Sequence, residues 1–167
     1  MKKLLFTLLM ALPLVMAAQV KLGIVNSQQI FNALPEKVAA ENVLQQMSDK
    51  YKAEDARIQE DFNKKFAEYQ ELASDANTPE TIKERRIQEL QQLDKGIQNY
   101  HQEVSQLLDQ AREEAMKPIL DKIQQAIEAV GEEEGMAIVF DTAKTPVAYV
   151  GPYTEDITPK VKARLGL

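Results

Sequence analysis

Few side chains in this sequence could carry out covalent or metal chemistry. The 167 residues include one histidine, His101, and no cysteine, which excludes thiolate chemistry and disulfide bonds. A metal site usually needs several His, Cys or carboxylate ligands together, and no such spacing surrounds His101. Serine and aspartate occur, but no nucleophile-elbow pattern joins them. The sequence therefore predicts no catalytic residue, no metal site and no cofactor.

Two charged clusters have competing interpretations. Residues 132–134 are glutamates between Gly131 and Gly135, and they lack the spacing of a calcium loop, so we interpret them as a solvated helix end. These glycines also do not form a phosphate-binding loop. Residues 83–86, Lys-Glu-Arg-Arg, are interpreted as a solvated face with internal ion pairs; the alternative is contact with a membrane surface or an acidic partner.

The strongest pattern is apolar, and its chemistry is non-covalent contact. One stripe alternates steps of three and four, the a/d spacing of a coiled coil, and consists of Leu90, Leu93, Ile97, Tyr100, Val104, Leu107 and Ala111. A less regular stripe precedes it and includes Phe62, Phe66, Tyr69 and Leu72, with Glu54 and Asp55 where an apolar residue is expected. Such stripes either pack two helices together or, where one partner helix is too narrow to cover them, leave aromatic residues free to bind other molecules.

These stripes require two long helices that fold back on each other. We predict amphipathic arms over about residues 36–76 and 79–130, joined by a tip at residues 74–79. Thr78 and Pro79 are typical of an N-cap and first helical position. Pro118 removes a backbone donor, so we expect a kink there, with a projecting arm upstream and a compact body downstream. An arm of about forty residues would project about 60 Å, too far for a small body to cover.

The two ends of the chain predict that body. Strands are predicted at residues 20–25, 136–140 and 147–150, the second of them buried on both faces. Short helices are predicted at residues 28–34 and 159–165, and Gly131 or Gly135 is predicted to end the second arm. Three short strands make a poor independent sheet, so we expect several copies to close their strands into a shared barrel or sheet. The predicted fold class is α+β, mostly α: a long antiparallel helical hairpin on a small β-containing body.

The first residues are typical of an export signal. Lys2 and Lys3 precede an apolar run at residues 4–14, and Ala17 or Ala18 offers a small residue for cleavage. We interpret residues 1–18 as a signal peptide; the alternative is an uncleaved membrane anchor, for which the run is short. The net charge is −6, and loss of both lysines would make it −8. Nucleic acid is therefore an unfavourable partner, because phosphates bind to basic surfaces.

Segments near both ends resemble the OmpH/Skp family of periplasmic chaperones. The matching stretches are residues 21–26 with 29–31, 136–141, 147–150 and 156–161. The order of elements is also similar, whereas the hairpin is similar only in its coiled-coil character. The resemblance implies a homotrimer that associates through a small β-barrel. Residues 19–43 and 115–167 would form the body, and residues 44–114 would form a tentacle that helps to enclose a cavity.

The resemblance also implies a function. Members of the family take up unfolded outer-membrane proteins, their clients, and prevent their aggregation without ATP, which would make this chain a periplasmic holdase. Basic tentacles attract acidic clients and lipopolysaccharide in that family, and the acidic charge of this chain departs from the pattern. The client-binding residues would be Phe62, Phe66, Tyr69, Leu72, Leu93, Ile97, Tyr100 and Val104. The oligomerisation residues would be Leu22, Ile24, Ile138, Phe140, Val147 and Tyr149.

The alternative hypothesis is a structural coiled-coil protein of the cell envelope that docks folded partners through its tips. The two hypotheses differ in what they predict for a denatured barrel protein. A holdase delays its aggregation, whereas a structural protein does not and instead co-purifies with a fixed, folded partner.

Overall fold

Two long helices dominate the structure. The computed structural model describes residues 20–167, so the predicted signal peptide and Gln19 lie outside the described residues. Helix α2 (Pro35–Ser74) has 40 residues and helix α3 (Glu80–Glu133) has 54 residues. They pack side by side as an antiparallel hairpin, which confirms the two arms. At about 1.5 Å per residue, α2 alone is about 60 Å long.

Asp75 organises the turn between the two arms. Its side chain accepts a hydrogen bond from the backbone nitrogen of Asn77 at 2.9 Å, and its carbonyl accepts one from Thr78 at 3.2 Å. The prediction that Thr78 caps α3 is wrong, because Pro79 occupies the N-cap position and no side chain caps the helix. The Thr78 hydroxyl lies 3.4 Å from Asp75 instead, so it stabilises the turn rather than the helix.

A three-stranded parallel sheet forms the β part of the body. It contains β1 (Leu22–Val25), β2 (Ile138–Asp141) and β3 (Thr154–Asp156) in the order β2-β1-β3. The prediction of a strand at residues 147–150 is wrong, because that segment lies in the connection between β2 and β3. Both sides of β1 already have partners, so residues 147–150 have no free edge of the central strand to join.

Two short helices, α1 (Ser27–Ala33) and α4 (Thr158–Arg164), complete the body. Asn26 caps α1 by accepting a hydrogen bond from the Gln29 nitrogen at 2.8 Å. Thr158 is the first residue of α4, and its hydroxyl accepts a hydrogen bond from the Asn26 nitrogen at 3.0 Å. This bond joins the beginnings of the two short helices.

The core lies where α1, α4 and the last part of α3 meet one face of the sheet. Its buried members are Val25, Ile30, Leu34, Ile119, Ile123, Ala126, Ile127, Val130, Ile157 and Val161. Every α3 member follows Pro118, which confirms that the downstream segment belongs to the body. Helix α3 continues through Pro118 and ends just before Gly135, whose φ of +64° suits a glycine after a helix. Gly135 rather than Gly131 is thus the helix stop.

The outer face of the sheet is apolar and open. Strand β2 is not buried on both faces as predicted, because Ile138 is 51% and Phe140 is 41% exposed. Ile138 is paired with Leu22 and Phe140 with Ile24, so these four side chains lie on the same face, opposite Val25 and the core. We call this the outer sheet face. Within residues 20–167, no other element covers Ile138 and Phe140.

An ion-pair network connects α4 to the end of α3. Lys160 contacts both Glu134 and Glu155 at 2.6 Å, and Arg164 contacts Glu133 at 2.6 Å. The hydrogen bond from Lys160 lowers the pKa of Glu134. The same bond, together with the bond to Glu155, raises the pKa of Lys160. The strength of these ion pairs therefore depends on pH, in both the acidic and the basic range.

Low pH and high pH should both weaken this ion-pair network. The lowered pKa means that the Glu134 carboxylate stabilises the fold above its ordinary pKa of 4.5, and this contribution is lost as the pH falls through the folded value. The raised pKa of Lys160 means that its contribution is present below 10.5 and lost as the pH rises through the folded value. We therefore expect the free energy of unfolding, measured with urea at fixed protein concentration, to decline below pH 4.5 and above pH 10.5.

Two variants test the assignment of that pH dependence. Lys160→Met should lower stability at neutral pH and make the decline below pH 4.5 shallower. Lys117→Met removes a 3.1 Å contact to Asp121 within a single helix, so it should leave the decline as steep as before. An equally steep decline in Lys160→Met would contradict the role of the network.

Gly96→Ala should stabilise the hairpin. Gly96 is exposed in the middle of α3, and an added Cβ meets nothing within 4 Å. Alanine favours the helix, so we expect a gain of about 0.5–1 kcal/mol in the free energy of unfolding, followed by circular dichroism. Gly135→Ala is the contrasting variant. Alanine is strained at the φ of +64° that Gly135 adopts, so we expect the free energy of unfolding to fall by about 1 kcal/mol. A loss of stability in Gly96→Ala would refute this account of its surroundings.

Candidate functional site

The arms leave most of their apolar side chains partly uncovered. Helix α2 contains no buried residue along its 40 positions, and before Pro118 helix α3 contains one, Ile97, which is 7% exposed. A helix with an apolar stripe needs coverage over a wide arc, and a single neighbouring helix covers only a narrow seam. The sides of the seam therefore remain accessible along the arm.

Polar contacts fix how the arms align at mid-length. The Tyr100 hydroxyl donates a hydrogen bond to the Tyr51 carbonyl at 3.1 Å, and the His101 Nε2 lies 2.5 Å from the Asp55 Oδ1. Desolvation and the nearby carboxylates of Glu54 and Asp55 raise the pKa of Tyr100, which keeps its hydroxyl protonated for donation. Asp55, which interrupts the apolar stripe in the sequence, is therefore a partner for the single histidine.

Further contacts hold the two ends of the hairpin. Near the body, Lys122 of α3 pairs with Glu36 of α2, and this bond lowers the pKa of Glu36. At the tip, the Lys83 ammonium donates a hydrogen bond to the Ala73 carbonyl at 3.3 Å. The register of the hairpin is thus set by polar contacts at its base, middle and tip.

An apolar opening in the outer half of the hairpin lies between the arms, and we call it the distal cleft. It has a volume of about 310 Å³ and is lined by Phe62, Phe66, Tyr69, Ile87, Leu90, Gln91 and Asp94. The rings of Phe62 and Phe66 stack with centroids 6.3 Å apart and planes 7° apart. Phe66 is nevertheless 42% exposed, so this stack offers an aromatic surface to solvent.

Three other openings follow the hairpin. The tip cleft, of about 440 Å³, is lined by Glu68, Glu71, Leu72 and Asp75. A lateral cleft, of about 430 Å³, is lined by Arg57, Ile58, Glu60, Asp61, Lys64 and Leu93. A middle cleft, of about 330 Å³, surrounds the contacts at mid-length and includes Tyr51, Asp55, Tyr100, His101, Val104 and Leu108. The apolar surface of the arm is therefore divided into separate small openings.

The predicted client-binding residues are spread over these openings. Phe62, Phe66 and Tyr69 meet in the distal cleft. Leu72 lies in the tip cleft and Leu93 in the lateral cleft, while Tyr100 and Val104 line the middle cleft. Ile97 differs from the others because it is buried, so its side chain packs the hairpin and we leave it out of the candidate surface.

Sequence reasoning missed four residues of the distal cleft, the apolar Ile87 and Leu90 and the polar Gln91 and Asp94. Ile87 lies three residues before Leu90, so the a/d spacing of α3 could have been extended to it. Leu90 was recognised as part of the stripe but not as lining an opening. The side of a coiled-coil stripe that faces away from its partner is set by the three-dimensional crossing of the helices, which spacing alone does not give.

The outer sheet face is a second uncovered surface. It contains four of the six residues predicted to mediate oligomerisation, Leu22, Ile24, Ile138 and Phe140. The other two, Val147 and Tyr149, belong to the connection between β2 and β3, where Val147 is half-buried and Tyr149 is 80% exposed. Their placement on a strand is thus incorrect, although Tyr149 adds to the apolar surface of the body.

Two other kinds of site are absent from the described residues. Within residues 20–167, no three His, Asp or Glu side chains are grouped closely enough to hold a metal ion. Within the same residues, no helix combines the length and the apolar character that crossing a membrane requires.

Comparison with known proteins places these features in a family. The model of the family described as outer membrane protein (OmpH-like) matches residues 21–165. The chaperone protein Skp of Vibrio cholerae serotype O1 is 33% identical over 140 residues, which cover 76% of this chain and 73% of that protein.

A solved structure has the same fold. The crystal structure of an OmpH-like outer membrane chaperone from Caulobacter crescentus aligns with a TM-score of 0.71, covers 89% of this chain and 85% of that chain, and is 17% identical. At that identity the likeness concerns the fold. The family match and the similarity to Skp show that the chain belongs to the OmpH/Skp family of outer membrane chaperones.

Proposed function

We propose that this protein is a periplasmic holdase that keeps unfolded outer-membrane proteins from aggregating by binding them between helical arms. The observation that carries the proposal is the absence of buried side chains along α2, together with the single buried residue of α3 before Pro118. Arms of this length without a core of their own leave apolar surface available to a client. The similarity to a protein named chaperone Skp supports the same class of function.

The chemistry of the clefts suits clients that share no sequence. Hydrophobic contact is non-directional, so aromatic and aliphatic side chains bind many unfolded segments with similar strength. Each cleft is small, and a client would be held by several weak contacts in succession. Individual contacts then break readily, which allows release without ATP and without an enzymatic step.

Association of three copies would give the arms a shared interior. The outer sheet face is apolar, and the free edges of β2 and β3 offer unpaired backbone groups to neighbouring strands. Burial of this face in a trimer, through a closed sheet of strands from all copies, would place the arms around one cavity. A client would then contact the clefts of several arms at once, which raises its effective affinity.

Replacing the aromatic residues of the distal cleft should weaken client binding. In a Phe62→Ser, Phe66→Ser, Tyr69→Ser variant we expect the dissociation constant for an unfolded barrel protein to rise at least about tenfold, since each lost aromatic contact is worth on the order of 1 kcal/mol. The measurement is the delay of aggregation, by light scattering, when the denatured barrel protein is diluted with each variant.

The matched control removes apolar surface elsewhere. Val38 and Val43 are 55% and 62% exposed on α2 and line none of the four clefts, so Val38→Ser, Val43→Ser should keep client binding. Circular dichroism checks that both variants remain helical. Unchanged client binding in the helical triple variant would reject the distal cleft as a contact surface. Failure of the unaltered protein to delay aggregation, with co-purification of one folded partner, would favour the structural coiled-coil alternative.

Charge on the outer sheet face should separate the copies. Ile138→Asp, Phe140→Asp places two carboxylates on that face, and burying unpaired charge in an interface is penalised by several kcal/mol per ion. By native mass spectrometry we expect three chains for the unaltered mature protein and one chain for the variant. Thr145→Asp, on the turn after β2, should keep the mass of the unaltered protein. A single-chain mass for the unaltered protein would disprove the trimer.

A further inference from the structure

Uncompensated carboxylates concentrate at the outer end of the arms. Five exposed acidic residues lie there, Glu68, Glu71, Asp75, Glu80 and Glu84. Among residues 20–167, none of them has a Lys, Arg or His nitrogen within 4.0 Å. The carboxylates of Glu68, Glu71, Glu80 and Glu84 are therefore open to anything that approaches the tip. The Asp75 carboxylate already accepts hydrogen bonds from Asn77 and Thr78 within the turn.

Part of the basic charge of the same region is paired, although Lys64 and Lys83 have no carboxylate within 4.0 Å among residues 20–167. Arg85 and Arg86 share one carboxylate, that of Glu89, at 3.7 and 2.7 Å. Lys65 lies 3.2 Å from Asp61 on the same helix. The cluster at residues 83–86 is therefore occupied by internal contacts, in agreement with its interpretation as a solvated face. Residues 68–86 carry five carboxylates and three basic side chains, which gives this end of the arms a net charge of −2.

These carboxylates adjoin the apolar surface. Glu68, Glu71 and Asp75 line the tip cleft around Leu72. Glu68 and Glu71 flank Tyr69 in the chain, and Tyr69 lines the distal cleft. At the other end of that cleft, Asp94 is its lining residue furthest from the tip on α3. The apolar cleft thus has negative charge at both ends.

We propose that the distal and tip clefts select unfolded segments in which lysine or arginine residues flank apolar ones, and that they disfavour acidic segments of equal hydrophobicity. This inference rests on the proposed holdase function and names the segments that the function would favour. The apolar part of such a segment would occupy the distal cleft, while its ammonium or guanidinium groups approach the free carboxylates. Exposed charges are screened beyond about 8 Å at physiological ionic strength, so the selection is local and weakens with salt.

Two labelled, unstructured peptides test the selection. They share the same leucines and tyrosines, but one carries lysines where the other carries glutamates. By fluorescence anisotropy with the mature protein at low salt, we expect the lysine peptide to bind at least about fivefold more tightly, which matches the sum of a few exposed ion pairs. The ratio should fall towards one at high salt. Equal binding of both peptides, or tighter binding of the glutamate peptide, would overturn the proposal.

A pair of charge variants locates the effect. Glu68→Gln, Glu71→Gln, Asp94→Asn, each at a residue that lines the tip or the distal cleft, should abolish the preference for the lysine peptide. The control, Glu103→Gln, Asp109→Asn, Glu113→Gln, removes the same charge from exposed positions of α3 that line none of the clefts and should keep the preference. Loss of the preference in both variants would contradict selection by the clefts, because net charge alone would then explain it.

The same assays separate this inference from the holdase proposal. A protein that delays aggregation of a barrel protein but binds the two peptides equally is a holdase without this selectivity. A protein that neither delays aggregation nor binds either peptide contradicts both proposals.

Discussion

A hairpin of two helices has no interior, and the rest of this structure depends on that constraint. In the body, helices α1, α4 and the end of α3 surround one sheet face, and ten apolar residues become buried together. In the arms, two helices meet only along a seam, and Ile97 is the one side chain that they bury before Pro118. The same kinds of residue that form a core in the body therefore form partly exposed surface in the arms.

With so little buried area, the arms depend on other forces to stay aligned. The contacts of Tyr100 with the Tyr51 carbonyl and of His101 with Asp55 provide direction, which hydrophobic packing along a uniform seam lacks. Exposed contacts of this kind stabilise weakly, so the arms belong to the low-stability end of the molecule. Charged residues make up 28% of the sequence, and their distribution along the outer faces keeps such exposed helices in solution.

The helices could be predicted from the sequence because their signals are local. The a/d spacing of α3, Pro35 as the first residue of α2 and Gly135 after α3 each act within a few residues, and the predicted arms agree with the structure to within a few positions. The strands could not be predicted as well, because a strand is defined by its neighbours. Residues 147–150 have strand-like composition but lie where β1 has no free edge, whereas the less typical segment Thr154–Asp156 pairs with it.

The prediction that β2 is buried on both faces failed for a related reason. An apolar run predicts that both faces of a strand are covered, but sequence does not say whether the cover comes from the same chain. Val139 contacts the core of its own chain, and Ile138 and Phe140 face outwards. The candidate site shows the same limit: the stripe predicted Phe62, Phe66 and Tyr69, while the placement of Ile87 beside them depended on how the two helices lie against each other.

The two uncovered surfaces differ in ways that suit different lifetimes of contact. On the outer sheet face, four apolar side chains are adjacent in a fixed register, and the strand edges beside them add directional hydrogen bonding. Such a surface favours one partner geometry and a lasting association. Along the arms, the apolar residues are divided among clefts, and carboxylates such as Glu71 and Asp94 interrupt them. If the arms bind clients as proposed, a client segment would meet charge before its hydrophobic contact extended far, so each contact would stay small and be readily exchanged for the next.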